Sequence, residues 1–322
     1  MTHEEREPQA GLGIDVGGTS AKLGIVDAAG RIRWRATVPT GYPLSAEGLV
    51  TGLASASRSL LDQARQAGLE VRTAGLALPG MLRPDRSGVR NVTNLPGLND
   101  APLQARLAEA LGLSVALDND ACAAALGEYR YGAGQGAVRL LVVTVGTGVG
   151  AGMVVDGAVF RTSQGCLGDP GHVIVAPEGP RCGCGGRGCL EVMAAAPAIA
   201  RHAAARAAQG PDSALARLPR PIDVADVARA AAAGDEAARE VLATAGRWLG
   251  IGLTSLLHVL GPERMLIGGG VAAAGDLLLN PLREAIHDYG MPFLTRPLTV
   301  ARAALTADAG LLGAAAVGLM RG

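Results

Sequence analysis

Aromatic residues are scarce in this chain of 322 residues: two Trp, four Tyr and two Phe, 2% of the total. The core must therefore be built from Ala, Val, Leu and Ile, and a polar ligand is expected to be held by hydrogen bonds more than by ring stacking. Net charge is also absent. Lys+Arg and Asp+Glu each number 29, so no whole-molecule field draws the protein to nucleic acid or to a membrane surface. No run of about 20 strongly apolar residues suggests a membrane span. The charged stretch Met1–Glu7 lacks the apolar segment of a signal peptide, so a reducing cytoplasm is the expected location. Lysine occurs once, at Lys22, against 28 arginines. Either coding bias has replaced lysine everywhere else, or arginine will not serve at position 22. Asparagine is almost as rare, yet Asn91, Asn94, Asn99 and Asn119 share one window, with only Asn280 elsewhere. Such a cluster hints at amides that bind a polar ligand. Ordinary turn chemistry is the alternative and accounts for Asn99 before Asp100.

Glycine and a compact cysteine cluster are what the chain does have. His172, Cys182, Cys184 and Cys189 lie within eighteen residues and supply one imidazole and three thiols, a full tetrahedral set for zinc. Glycines 183, 185, 186 and 188 let the backbone fold back on itself. In a reducing compartment, clustered cysteines read as metal ligands before they read as disulfides. With four protein ligands, the zinc would be structural, with no open position for water. Cys122 and Cys166 stand outside this spacing, and Cys122 reads as a small packing residue.

Strands are expected at 11–16 and 21–27, joined through Gly17-Gly18-Thr19, with a third strand through Val38. A glycine turn between two strands differs from a P-loop, which opens a helix. A helix over 46–67 and a strand over 73–78 precede a long loop at 81–100, a length that points to function. A helix near 101–111 and a strand at 114–117 lead to Asp118-Asn119-Asp120, which opens a helix through Tyr129. One of these three polar residues can cap the helix, but three exceed that need. A second strand, glycine turn and strand follow over 139–155, suggesting an internal pseudo-repeat. Helices are expected over 193–209 and 224–259, then a strand at 265–267 ending in Gly268-Gly269-Gly270, and a terminal helix over 307–320. Glycine turns expose backbone N–H groups to phosphate oxygens, and Thr19 and Thr147 add hydroxyls, so a nucleotide is expected. Asp15, before the first turn, suits a magnesium ion held through water.

Asp15-Val-Gly-Gly-Thr19, Asn119-Asp120 before an Ala-rich helix, Thr144–Gly152, Gly171-His172, the Cys-x-Cys-Gly-x-x-Gly-Cys-x-Glu stretch ending at Glu191, and Ile267–Gly270 occur in the order found in the ROK family. The chain resembles that family of bacterial sugar kinases and repressors over nearly its whole length. The resemblance implies an α/β actin/hexokinase-like ATPase fold of the ribonuclease H-like kind, with two domains of related topology closing on a cleft. The small domain would be 1–118 plus 305–322 and the large domain 119–304. The implied activity is ATP-dependent phosphorylation of a hexose, glucose first, with Mg2+ accompanying ATP and structural Zn2+. Asp120 would be the general base. Gly80, Asn94, Asn119, Asp120, Asp169, His172 and Glu191 would line the sugar site. Asp15, Gly17, Gly18, Thr19, Lys22, Thr144, Gly146, Thr147, Gly148 and Gly269 would serve the nucleotide. Homodimer or homotetramer assembly is implied as well.

The family sequence before the histidine is usually Gly-Glu-x-Gly-His, whereas this chain has Gly168-Asp169-Pro170-Gly171-His172. Asp169 keeps the charge on a shorter arm, about 1.5 Å less reach, and displacements of about 1 Å matter where positioning is the mechanism. A different sugar (N-acetylglucosamine, N-acetylmannosamine, fructose) or a weakly active sugar sensor are the alternatives this opens. Only about ten residues precede the first strand, too few for the helix-turn-helix of a ROK repressor. A zinc-ribbon nucleic-acid binder would need more basic residues than Arg181 and Arg187 around the cluster.

Overall fold

The computed structural model describes residues 10–40, 44–92, 95–163, 165–210 and 212–320. The opening apolar run, Ala10–Val16 (β1), is buried along nearly its whole length, as a central strand must be. Ser20–Asp27 (β2) returns antiparallel to it, with Asp15 opposite Lys22. Ile32–Pro39 (β3) alternates half-buried and exposed residues, the pattern of an edge strand. The helix Ala46–Gln66 (α1) is capped by Ser45, whose Oγ accepts from Gly48 N–H at 3.0 Å, and it buries Leu49, Leu53 and Leu60. Val71–Leu78 (β4) then pairs parallel with β1.

The region expected as one long loop contains regular structure. Met81–Leu82 (β5) and Val89–Arg90 (β6) form a two-rung hairpin, and Pro96–Leu98 makes a 3-10 turn. Strands of two residues carry no readable periodicity, which is why sequence patterning passes over them. Leu103–Leu111 (α2) ends at Gly112 in the left-handed conformation. Ser114–Asn119 (β7) closes the sheet in the order β3-β2-β1-β4-β7 and feeds the helix Asp120–Tyr131 (α3).

Arg139–Val145 (β8) and Val149–Val155 (β9) are neighbours in a second sheet, and Ala158–Val159 (β10) pairs antiparallel with the end of β9. Leu190–Ala194 (α4) and Ala196–Gln209 (α5) follow the cysteine loop. The expected helix over 224–259 is two helices, Val224–Ala232 (α6) and Glu236–Leu260 (α7), because Gly234 at positive φ and the Asp235 cap break the run. Arg264–Gly268 (β11) pairs parallel with β8. After Asp276–Tyr289 (α8) and the short Pro292–Thr295 (α9), Thr299–Arg302 (β12) adds to β11. The order β10-β9-β8-β11-β12 repeats that of the first sheet, hairpin strands followed by parallel ones.

Two compact units result. The first comprises 1–136, 152–168 and 307–322; the second 137–151 and 169–306. The helix after Asn119 thus counts with the first unit, whereas the sequence reading begins the large domain at 119. In the first unit the terminal helix Ala309–Leu319 (α10) lies directly on the sheet, where glycine replaces the missing aromatic bulk with close approach. A Cβ on Gly75 would come 2.6 Å from Ala314 C. In the second unit a Cβ on Gly250 would come 2.6 Å from the Ala285 Cβ, so α7 and α8 meet by the same device. Among the described residues no helix is long and apolar enough to cross a membrane.

Candidate active site and metal-binding loop

In the first unit, the turn Gly17–Thr19 is pinned from behind. Gly17 N–H donates to Ser20 C=O at 3.0 Å, Thr40 Oγ1 to Gly17 C=O at 2.6 Å, and Thr40 N–H to Thr19 C=O at 3.0 Å. Gly18 and Thr19 are exposed, leaving N–H groups and a hydroxyl for an anion. Asp15 sits against the start of α10: a Cβ on Gly310 would lie 2.6 Å from its Cγ and 2.8 Å from its Oδ1. Burial pushes the Asp15 carboxyl up, and the Lys22 ammonium opposes that rise. Lys22 Nζ donates to Ala307 C=O at 2.7 Å, while Arg35 holds Asp308 through two hydrogen bonds of 2.6 and 2.7 Å. The single lysine therefore secures the beginning of a helix, a role its sequence neighbours did not announce.

Asp118, Asn119 and Asp120, where β7 ends and α3 begins, divide the work. Asp118 is buried and forms a bidentate pair with Arg161, whose Nη1 also donates to Gly165 C=O at 2.8 Å. Asn119 is the N-cap: its Oδ1 accepts from Ala121 and Cys122 N–H, and its Nδ2 donates to Gly80 C=O at 3.0 Å. Asp120 opens α3 and is half-buried. Burial pushes its carboxyl up to about 6 against the pull of the Ala121 N–H, and the charge of Asp15 adds to the rise. Asn94, expected in the same pocket, lies outside the described residues. Cys122 and Cys166 are buried neighbours; the hydrogen bond from Cys166 and then burial raise the Cys122 thiol, which makes it a packing group and not a nucleophile.

In the second unit, the turn after β8 is closed by Gly146 N–H donating to Gly148 C=O at 2.9 Å, and Thr144 Oγ1 lies 3.4 Å from Gly150 C=O. Thr147 is exposed at its tip. Glu191, expected at the sugar, reaches this turn: its Oε2 accepts from Val149 N–H at 3.2 Å. A Cβ at position 148 would press on that Oε2, so a side chain there would require the Glu191 carboxylate to shift. Gly269, at positive φ, packs against Val145 and opens the 3-10 turn after β11.

The ligand atoms of His172, Cys182, Cys184 and Cys189 all lie within 4.8 Å of one another. Cys184 Sγ and Cys189 Sγ are 3.7 Å apart, and Cys182 Sγ is 3.6 Å from His172 Nδ1. A tetrahedron with Zn–S of about 2.3 Å and Zn–N of about 2.0 Å has S···S and S···N edges of about 3.8 and 3.5 Å, close to these two separations, so the donor set fits zinc. Burial and the adjacent sulfurs push the Cys189 thiol up to about 12. A cation is what would allow all three to ionise together.

Arg161, Thr40 and Gly310 are contributors that sequence patterning missed. Each acts through a partner distant in the chain, and no local spacing signals such a contact.

The ROK family profile matches residues 11–320. The chain belongs to the ROK family. The glucokinase of Halalkalibacterium halodurans is 36% identical over 306 residues, covering 94% of this chain and 92% of the relative. Among solved structures, the ROK hexokinase of Thermus thermophilus matches with TM-score 0.78 and 37% identity over 97% of this chain and 98% of its own. The ROK glucokinase of Streptomyces griseus, solved with glucose and AMPPNP, matches with TM-score 0.83 and 33% identity over 97% and 99%. The fold is the actin/hexokinase-like ATPase fold of these kinases.

Proposed function

We propose that this sugar kinase transfers the γ-phosphoryl group of ATP to glucose, giving glucose 6-phosphate. The observation that carries the reading is Asp120, a carboxylate at a helix start whose pKa of about 6 leaves it ionised yet basic at neutral pH. It accepts the proton of the attacking sugar hydroxyl as that oxygen bonds to phosphorus and ADP leaves. A helix N-terminus by itself would make Asp120 a poorer base; burial outweighs it. In the first unit, Asn119, fixed by its capping bonds, and the Gly80 loop are the proposed sugar contacts; in the second, His172, Glu191 and Asp169 are the proposed ligands of sugar hydroxyls.

In the first unit, Gly17, Gly18 and Thr19 offer backbone N–H groups to phosphate oxygens; in the second, Gly146, Thr147 and Gly148 form a turn of the same kind, and Gly269 is assigned to the adenosine. Lys22 supports this group by holding the start of α10. Asp15 would hold, through water, the magnesium that accompanies ATP, an ion that neutralises charge on the transferred group. His172, Cys182, Cys184 and Cys189 would hold a structural zinc. A homodimer or homotetramer is part of the proposal, supported by Val259 and Phe293, both 81% exposed in a chain with only two Phe.

The test is a coupled ADP-release assay over glucose, mannose, fructose, N-acetylglucosamine and N-acetylmannosamine, with glucose expected to give the highest kcat/KM. Asp169, half-exposed and short, favours one second reading, a sugar sensor of little turnover. That reading wins if no sugar raises turnover above the ATPase background while one still binds by calorimetry.

A further inference from the structure

Asp169, where the chain departs from its family, faces its own histidine. The 3-10 turn Pro170–His172 begins at Asp169, and His172 N–H donates to Asp169 C=O at 3.0 Å. The turn brings Asp169 Oδ2 to 3.4 Å from His172 Nε2. The other ring nitrogen, Nδ1, lies 3.6 Å from Cys182 Sγ, inside the four-ligand cluster. The two nitrogens of one imidazole are thus divided between a metal site and a carboxylate.

The backbone on either side of the ring is already fixed. Gly171 packs so closely on Val149 that a Cβ would come 3.2 Å from its carbonyl carbon. Leu190 N–H donates to Val173 C=O at 2.9 Å. What remains undetermined is the rotation of the imidazole and which nitrogen bears the proton. Coordination needs the lone pair of Nδ1, so Nε2 must carry the hydrogen, and Asp169 is the acceptor beside it. Carboxylates in this relation orient metal-bound histidines and raise their basicity.

We propose that Asp169 is a positioning residue for the metal site, fixing the tautomer and rotation of His172 through Oδ2 and leaving Oδ1 to reach a sugar hydroxyl. Aspartate suits this better than the family's glutamate, because the shorter arm stays over the ring three residues ahead and has one fewer torsion to freeze. The inference rests on the zinc assignment and not on kinase activity.

The experiment is competition for zinc between the zinc-loaded full chain and a chromogenic chelator, for the wild type, Asp169→Ala, Asp169→Asn and Asp169→Glu. Asp169→Ala is expected to lose about 10–100-fold in zinc affinity. Asp169→Asn should recover part of that loss, since its amide oxygen still accepts from Nε2–H. Circular dichroism of the zinc-free wild type and variants, expected to coincide, separates a metal effect from misfolding; if the alanine variant does not fold, the asparagine variant carries the comparison. Equal zinc affinity in the wild type and Asp169→Ala overturns the proposal, whatever happens to the sugar KM. A chain that fails to phosphorylate any sugar but shows the graded zinc loss leaves the proposal standing and removes only the kinase reading.

Discussion

At the scale of single residues, Asp120 carries the sharpest consequences. Positioned general bases contribute about 10²–10⁴-fold, so Asp120→Asn should lower kcat by that factor while sugar binding by calorimetry changes little. The wild-type kcat/KM should fall as pH drops through about 6, where Asp120 takes up its proton. The same burial has the opposite sign for stability. A carboxyl raised from 3.8 to about 6 favours the fold below its unfolded value and loses that contribution as pH rises through the folded one. Asp120→Asn should therefore be the more stable protein at pH 8, by about 1–2 kcal/mol once partial solvent contact is allowed for, and should lose this advantage below pH 4. Thermal melts at the two pH values measure the difference. A variant that melts lower at pH 8 would mean the carboxylate is better solvated than its surroundings imply.

At the scale of elements, the start of α10 is held by three contacts from the first three strands: Lys22 on Ala307, Arg35 on Asp308, and Asp15 against Gly310. Alanine is normally the better helix residue by about 1 kcal/mol, so Gly310→Ala need not destabilise the helix itself. The added Cβ would instead push Asp15 aside. The expected outcome is a rise of about tenfold or more in the KM for magnesium-ATP, with sugar affinity unchanged; an unaltered nucleotide KM would falsify the placement of Asp15 at the phosphate side. This contact also marks the limit of what could be read before folding. The hairpin, the glycine turns, Asn119-Asp120 and the cysteine cluster were legible because each is a local pattern within about ten to twenty residues. The Asp15–Gly310 approach joins residues at opposite ends of the chain, and Glu191 reaches Val149 across 42 positions, so neither leaves a spacing signal. Strands β5, β6 and β12 were missed for the complementary reason: two to four residues are too few to show a period of two. Asn119 divides its side chain between capping α3 and the Gly80 carbonyl, a division only the backbone geometry reveals.

At the scale of the molecule, the second unit depends on a loop with little apolar substance of its own. Between His172 and Leu190 the chain is held by backbone bonds such as Cys182 N–H to Gly186 C=O and Gly185 N–H to Cys182 C=O, and by the cysteine and histidine cluster. A metal there would stand in for a core, and its binding energy would be folding energy. Glu191 follows Cys189 by two residues and holds Val149 N–H, which couples the loop to the turn at 146–150. Chelation should therefore raise the sugar KM by about tenfold or more through His172 and Glu191. The nucleotide KM should rise less, because the turn at 17–19 and Asp15 belong to the first unit and are braced by Thr40 and Lys22. Added zinc at 100 times its Kd is worth about 2.7 kcal/mol, a thermal shift of several degrees that should appear in one part of the calorimetric transition and not across all of it. Titrating the chelator while following both KM values tests the division of labour. If the two rise in parallel from the first equivalents, the loop supports the whole catalytic apparatus and not the sugar side in particular.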